Sequence, residues 1–147
     1  MVRPRATALA VLAAAVTSVP QDELQLQVEA PASVSAGASM PLTLGIRNTG
    51  AQPLTLYLRG RTIAFDFLVL DRSGNVVWQR LHDQVVPAVV QVVTLGPGER
   101  REFRDTFRLK TNDGRPVSPG TYWIIGLLLR DEPEPYRAPP VPVRVLL

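Results

Sequence analysis

The 147-residue chain contains no cysteine and only one histidine. Without cysteine it can form no disulfide, and it has no thiolate to act as a metal ligand or nucleophile. With His82 as the only imidazole, most zinc sites and most catalytic triads lack their usual parts. The sequence also has no glycine-rich phosphate-binding loop. We therefore predict a protein that is not an enzyme, with no catalytic residues, no metal site and no cofactor.

The charge of the chain does not favour a nucleic-acid partner. The formal net charge is +3, but Arg3 and Arg5 belong to an N-terminal segment that we expect to be removed, which leaves 14 basic and 13 acidic residues. The arginine-rich stretch at residues 100–108 alternates charged and apolar positions, a pattern typical of a half-solvated strand. We predict no binding to nucleic acid.

Residues 1–18 have the pattern of an export signal. Two arginines precede an apolar run from Ala6 to Val16, and Val16 and Ser18 suit a cleavage site. The run is too short for an ordinary transmembrane helix. We expect an exported protein, periplasmic or secreted, whose residues 19–147 form one domain without a membrane span. If the segment is an uncleaved helical arm, the protein would be cytoplasmic.

The rest of the chain predicts an all-β fold. Fourteen prolines and ten glycines separate short apolar runs, many of which alternate apolar and polar residues. Residues 85–95 are valine-rich, and Pro87 favours an edge or an irregular start there. About eight strands at this spacing predict an antiparallel β-sandwich of immunoglobulin-like or fibronectin-like type. Its organising stretch is residues 95–129, where Pro97-Gly98 and Pro119-Gly120 each form a turn before a strand.

The alternation also predicts the core. Six aromatic side chains are expected to be buried between two sheets: Phe65, Phe67, Trp78, Phe103, Phe107 and Tyr122. Asp105 has the same parity as Phe103 and Phe107, so a regular strand would point its carboxylate inward. Because an unpaired buried carboxylate is too costly, we expect either a bulge or a partner such as an arginine or a backbone N–H group.

Three groups of polar residues are candidate sites, and each has a simpler interpretation. His82 beside Asp83 lacks a serine in a nucleophile context and is better explained as a surface pair. Asp71, Ser73 and Asn75 form part of a calcium-loop pattern without its later glutamate, which favours a hairpin turn. The acids at residues 131–134 lie in a proline-broken loop and are expected to be solvated.

One predicted strand, residues 122–129, is apolar on both faces. Tyr122, Ile124, Gly126 and Leu128 form one face, and Trp123, Ile125, Leu127 and Leu129 form the other. A sandwich strand usually has polar residues outward. We predict that Trp123, Ile125, Leu127 and Leu129 form a protein-binding face. The loop at residues 130–140 is expected to fold across it as partial cover, with Trp123 near the rim.

Several of these motifs resemble the BsuPI family of bacterial intracellular proteinase inhibitors. The matching positions are Asn48, Phe65, Asp66, Phe67, Gly74, Trp78, Pro97, Gly98, Glu99, Pro119, Gly120 and Tyr122. The resemblance covers about residues 40–129 and implies an immunoglobulin-like domain that inhibits a subtilisin-type serine protease. The chain departs from the family in having no aromatic residue between Gln79 and Val86, and Phe107 where a tryptophan is frequent. The family name also implies a cytoplasmic protein, whereas this chain begins with an export-like segment.

Two functions remain open from the sequence. The first is inhibition of a subtilisin-like protease by occlusion, with a proline-stiffened loop such as Arg115 to Gly120 or Glu132 to Pro140 in the active-site cleft. The second is an exported structural or interaction module of the cell envelope without inhibitory activity.

Overall fold

The computed structural model describes residues 23–147. This part of the chain forms eleven strands joined by turns and loops. The strands are β1 (Leu24–Glu29), β2 (Ser33–Ser35), β3 (Met40–Asn48), β4 (Leu54–Arg59), β5 (Phe65–Leu70), β6 (Val76–Gln79), β7 (Val90–Leu95), β8 (Arg100–Phe107), β9 (Gly120–Leu128), β10 (Tyr136–Arg137) and β11 (Val141–Leu146). The export signal predicted at residues 1–18 lies outside the described residues. No helix within residues 23–147 has the length and apolar character needed to cross a membrane.

The strands form two facing sheets and a separate two-stranded ribbon. The three-stranded sheet has the order β1-β3-β8. The six-stranded sheet has the order β2-β11-β9-β5-β6, with β10 paired to β9. The ribbon consists of β4 and β7. All pairings are antiparallel except that of β2 with β11. The predicted β-sandwich is confirmed.

The strand count is higher than the eight or so expected because two short pairings add strands. β2 lies in a segment of small residues, and it runs parallel to β11. β10 lies in the proline-rich loop, where Tyr136 and Arg137 pair with the end of β9. Neither segment is long enough to show an alternating pattern, so periodicity could not identify them.

The core lies between the two sheets and under the ribbon. Every second residue of β3, from Met40 to Ile46, is buried, as are Leu54, Leu56 and Leu58 of β4. Phe67 and Phe107 are completely buried, and Phe65 and Tyr122 are buried. The predicted core is therefore correct for these four aromatic residues.

The prediction that Trp78 and Phe103 are buried is wrong, since both are only half-buried. Trp78 lies on β6 and Phe103 on β8, which are edge strands of the two facing sheets. Each still packs on a core ring: Trp78 on Phe107, with ring centroids 4.9 Å apart, and Phe103 on Phe65 at 5.3 Å. An edge position leaves one side of each ring open to water.

Turn chemistry fixes the strand ends as the sequence predicts. Asp71 Oδ1 accepts hydrogen bonds from the backbone N–H groups of Ser73 and Asn75, both at 2.9 Å, and Gly74 has a φ of +84°. This confirms the hairpin turn between β5 and β6. At the β7–β8 turn, Gly98 has a φ of +77° and its N–H donates to the carbonyl of Asn48 at 2.8 Å. The turn therefore binds to the end of β3.

Candidate functional site

The predicted protein-binding face lies largely on the outer surface of the six-stranded sheet. Trp123 of β9 is opposite Leu70 of β5, and Ile125 is opposite Leu68. Trp123 and Leu127 are half-buried, whereas Ile125 is 5% exposed. The apolar surface is thus continuous across two strands but has less exposed area than the sequence alone suggests.

Leu129, the fourth residue of the predicted face, lies just beyond the last residue of β9. β9 ends at Leu128, and the backbone N–H of Leu129 donates to the carbonyl of Ala64 at 3.0 Å. The carbonyl of Leu129 accepts a hydrogen bond from Arg59 of β4 at 3.1 Å. The backbone of Leu129 therefore connects the six-stranded sheet to the ribbon.

The proline-rich loop at residues 130–140 lies beside β9 and not across its outer face, contrary to the prediction. Arg137 pairs with Leu127, and the N–H of Ala138 donates to the carbonyl of Gly126 at 2.8 Å. Tyr136 is buried. Pro140 reaches the face, where it helps to line a shallow cavity of about 320 Å³ together with Leu70, Asp71, Arg72, Gly74, Trp123 and Ile125. The physical reason is that Tyr136 and Arg137 pair with the end of β9 and so hold the loop at the edge of the sheet.

His82 and Asp83 form a surface pair, as interpreted from the sequence. His82 Nε2 lies 3.2 Å from Asp83 Oδ2, and both side chains are well exposed. His82 also borders an open cavity of about 480 Å³ with Gln79, Asn112, Asp113 and Arg115. The hydrogen bond from Thr111, followed by that from Arg115, holds the pKa of Asp113 below its ordinary value. These contacts keep the carboxylate charged and paired.

The remaining acids do not converge. Within residues 23–147, no three histidine or acidic side chains are placed to hold a metal ion together. Asp71 is engaged by its own turn, as described above. On the outer face of the three-stranded sheet, Glu102 accepts a hydrogen bond from Arg100 Nη2 at 2.8 Å. This bond is the main reason that the pKa of Glu102 is lowered and that of Arg100 is raised. The positive charges of Arg100 and Arg104 are thus compensated by neighbouring glutamates.

A group of hydrogen bonds made by Asp66, Arg80 and Asp105, here called the polar joint, connects the end of β6 and the segment after it to both sheets. Asp66, which is buried, accepts hydrogen bonds from Gln79 Nε2 at 2.6 Å and from the N–H of Leu81 at 3.0 Å. Arg80 Nε donates to Asp105 Oδ2 at 2.7 Å, which confirms the expected arginine partner. The sequence predicts that Asp105 needs a partner but gives no indication that it is Arg80, because the pair is formed between sheets.

A group of strongly exposed apolar residues lies elsewhere, between β6 and the end of β7 and on the neighbouring β4. Val85 is 92% exposed, and Val92 of β7 is 65% exposed. Tyr57 of β4, directly opposite Val92, is also exposed. The valine-rich composition of residues 85–95 and Pro87 were the available signals, but they do not show which valines face solvent.

Known structures with similar folds are distant. An alkylpurine DNA glycosylase from Pseudomonas fluorescens, bound to DNA, is 18% identical with a TM-score of 0.46; the similarity covers 85% of this chain and 31% of that one. A β-glucosidase from Listeria innocua is 13% identical with a TM-score of 0.46, and the chain spans 16% of its length. A CARDB domain from Pyrococcus furiosus is 16% identical with a TM-score of 0.44, and 85% of this chain covers 95% of that domain.

The family comparison is more informative. No curated protein matches the chain. Residues 24–132, however, match the sequence model of the BsuPI family, described as intracellular proteinase inhibitor. The match extends beyond residues 40–129 at both ends and includes β1 to β9. The resemblance noted in the sequence is therefore confirmed, and the chain belongs to the BsuPI family of proteinase inhibitors.

Proposed function

We propose that this protein is a non-catalytic inhibitor of a subtilisin-like serine protease and that it acts by occluding the active site. The observation that carries the proposal is the family match over residues 24–132. The fold supports it, because a sandwich with a fully packed core and loops at its ends can present a rigid surface to a partner. Inhibition by occlusion requires no covalent step and no titrating group on the inhibitor.

The test is a titration of the purified chain into a subtilisin-like protease, followed with a small peptide substrate. We expect a saturable loss of activity, full recovery on dilution, and an unchanged mass of both proteins. The variant His82→Ala should inhibit as well as the wild type, since His82 lies exposed beside Asp83. A trypsin-like serine protease provides the specificity control. A correctly folded chain that inhibits no subtilisin-like protease would leave a structural or interaction module as the remaining function.

We also propose that the protein acts after export. The basic and apolar pattern of residues 1–18 supports this location. The N-terminal sequence of the protein recovered from its native cell fractions tests it. An exported chain should begin near residue 19, whereas a full-length chain confined to the cytoplasmic fraction would contradict the proposal.

A further inference from the structure

One segment of the described chain contains four consecutive residues without a backbone hydrogen bond. Residues 84–89, here called the strap, connect the turn after β6 to β7 without regular structure. Within residues 23–147, the backbone groups of residues 85–88 form no hydrogen bond. Val85 is almost fully exposed, and Val89 is 39% exposed. The strap thus offers both free main-chain groups and apolar side chains to a partner.

Both ends of the strap are firmly attached. On one side, the N–H of Leu81 donates to the buried carboxylate of Asp66, and Arg80 bonds to Asp105 and to the carbonyl of Phe65. On the other side, the carbonyl of Val89 accepts a hydrogen bond from the N–H of Gly60 at 2.9 Å. Pro87 fixes its own φ and restricts the residue before it to extended conformations. The strap is therefore held in position before any partner arrives, which lowers the entropic cost of binding.

The strap continues directly into an open sheet edge. β7 pairs only with β4, and the other side of β4 bonds to residues 129–131. In the part of the chain that the structure describes, no strand pairs with the second side of β7. Because Gly60 and Val89 share a ladder hydrogen bond, the alternation of an antiparallel ladder points the N–H and C=O groups of Val90, Val92 and Thr94 to this open side.

Natural sheet edges are usually protected by charges, prolines or bulges. β7 has none of these, and residues 84–98 contain no charged side chain. Val92 and Tyr57, opposite each other, add an exposed apolar surface beside the edge. An open, uncharged edge of this kind is suited to a partner that adds a strand.

The two proline-rich loops considered from the sequence are less suitable. In the loop before β9, the N–H of Val117 donates to the carbonyl of Leu109, and the carbonyl of Ser118 accepts from the Tyr122 hydroxyl. In the loop before β11, Tyr136 and Arg137 pair with β9. Both loops use their backbone groups to complete this domain, whereas residues 85–88 of the strap do not.

We propose that the strap and the open edge of β7 are the surface that enters the substrate cleft of the protease. This inference rests on the proposed function. A protease cleft binds a polypeptide in extended form, through hydrogen bonds to its main chain and pockets that receive its side chains. The strap provides unpaired main-chain groups for the hydrogen bonds and exposed apolar side chains for the pockets. The side chains of residues 85–90 predict a protease whose pockets accept small or medium apolar residues. Because the surface has no charge, inhibition should depend little on ionic strength.

The test compares two variants on the surface with one matched control. Val85→Asp and Val92→Lys place a charge on the strap and on the β7 edge, and each should raise the inhibition constant at least about tenfold. Val76→Lys changes a similarly exposed valine on β6, in the six-stranded sheet, and should inhibit like the wild type. Thermal unfolding of all three proteins should match the wild type, since the changed side chains are exposed.

Cleavage mapping by mass spectrometry distinguishes failure of this inference from failure of the proposed function. If the wild type does not inhibit but is first cut within residues 84–89, inhibition is wrong and the strap still enters the cleft. If the wild type and both surface variants inhibit equally, the proposed function is supported and the assignment of the strap as the contact surface is wrong. If there is neither inhibition nor cleavage in the strap, the proposed function and the assignment of the strap are both wrong. A wild-type dimer that Val92→Lys dissociates would assign the edge to a second copy and overturn the protease assignment.

Discussion

Arg80 Nε donates a hydrogen bond to Asp105 Oδ2 over 2.7 Å and so joins the six-stranded sheet to the edge of the three-stranded one. The same guanidinium lies 3.7 Å from the ring centroid of Phe65 and donates to the Phe65 carbonyl at 2.8 Å. Asp105 lies between Phe103 and Phe107 on the inner side of β8, and because β8 is an edge strand its carboxylate stays partly exposed. The pair therefore closes one side of the core and also anchors the strap.

The first prediction concerns this joint. Arg80→Met should lower the free energy of unfolding by about 2 kcal/mol, because it removes two charge-assisted hydrogen bonds and a cation–π contact. Asp105→Asn should cost under about 1 kcal/mol, since the carboxylate is partly solvated and Arg80 keeps its other contacts. Arg104→Met, on an exposed arginine, is the control and should change stability by less than about 0.5 kcal/mol. Urea unfolding measures all three, and equal losses for Arg80→Met and Arg104→Met would contradict the prediction.

The sequence predicts this region only in part, for a physical reason. Alternation along one strand establishes that Asp105 has the parity of the core, and burial energetics require a partner. Identifying Arg80 requires the relative position of two sheets, which no local pattern contains. The same limit applies to Trp78 and Phe103. Alternation correctly places their side chains on the inner faces of the sheets, but how far each ring is exposed depends on which strands lie at the sheet edges. Several of the family motifs, by contrast, are turns, such as those at Gly74 and Pro97-Gly98, and local chemistry predicts turns well.

Asn48 provides the second prediction. Its side chain is fully buried, and Nδ2 donates to the carbonyls of Gln52 at 2.7 Å and Leu95 at 3.0 Å, while Oδ1 accepts from the N–H of Gly50 at 2.9 Å. Asn48→Ala should cost about 2 to 3 kcal/mol, because it leaves buried polar groups without partners. Asn48→Asp should cost more at neutral pH, since it places a negative charge against two carbonyl oxygens.

The Asn48→Asp variant also has a defined pH dependence. Burial beside carbonyl oxygens raises the folded-state pKa of the introduced carboxyl above its unfolded value of about 4. Its destabilisation should therefore be smallest below that pH and should grow as the pH rises. Urea unfolding of the wild type and both variants at about pH 4 and pH 7 tests this. A pH-independent difference between Asn48→Asp and Asn48→Ala would show that Nδ2 does not make these bonds.

The third prediction concerns Gly126 of β9, which faces Leu44 and Val28 of the three-stranded sheet. A Cβ added here would lie 2.8 Å from both Leu44 Cδ1 and Val28 Cγ2. Gly126→Ala should therefore cost about 1 to 3 kcal/mol through overpacking. Adding Val28→Ala should restore part of that loss, because it removes one of the two clashing methyl groups. Gly96→Ala is the control, since its Cβ would meet only Glu99 Oε1 at 3.8 Å.

Tyr122 gives the fourth prediction. Its hydroxyl donates to the Ser118 carbonyl at 2.6 Å. Burial, with a smaller effect from the charge of Asp71, raises the pKa of Tyr122 above its ordinary value. A raised folded-state pKa means that this stabilisation is complete below the unfolded pKa of about 10 and is lost as the pH rises beyond it.

Tyr122→Phe should accordingly be less stable by about 1 kcal/mol at neutral pH, because the hydrogen bond is lost. The difference from the wild type should shrink as the pH rises from about 9 to about 11. Tyr57→Phe is the matched control for removal of a phenolic hydroxyl, since Tyr57 is 55% exposed. Urea unfolding across this pH range measures the stability difference between the wild type and Tyr122→Phe. A difference that does not change with pH would contradict a raised pKa of Tyr122.

The last prediction concerns the apolar outer face of β9, which stays a predicted protein-binding surface. Leu127 is directly opposite the buried Asp66, so Leu127→Glu places a second carboxylate beside the first and should cost about 2 kcal/mol or more. Trp123 is half-buried at the cavity with Pro140. Trp123→Arg should cost less stability but should weaken binding of a partner at this face by about tenfold. Sedimentation measures the oligomeric state. Titration with the protease measures binding, and comparing Val92→Lys with Trp123→Arg distinguishes binding at the strap from binding at the outer face of β9, because Val92→Lys leaves β9 unchanged. If stability, oligomeric state and protease binding all stay unchanged in a variant that combines Trp123→Arg with Leu127→Glu, the outer face of β9 is neither core nor interface.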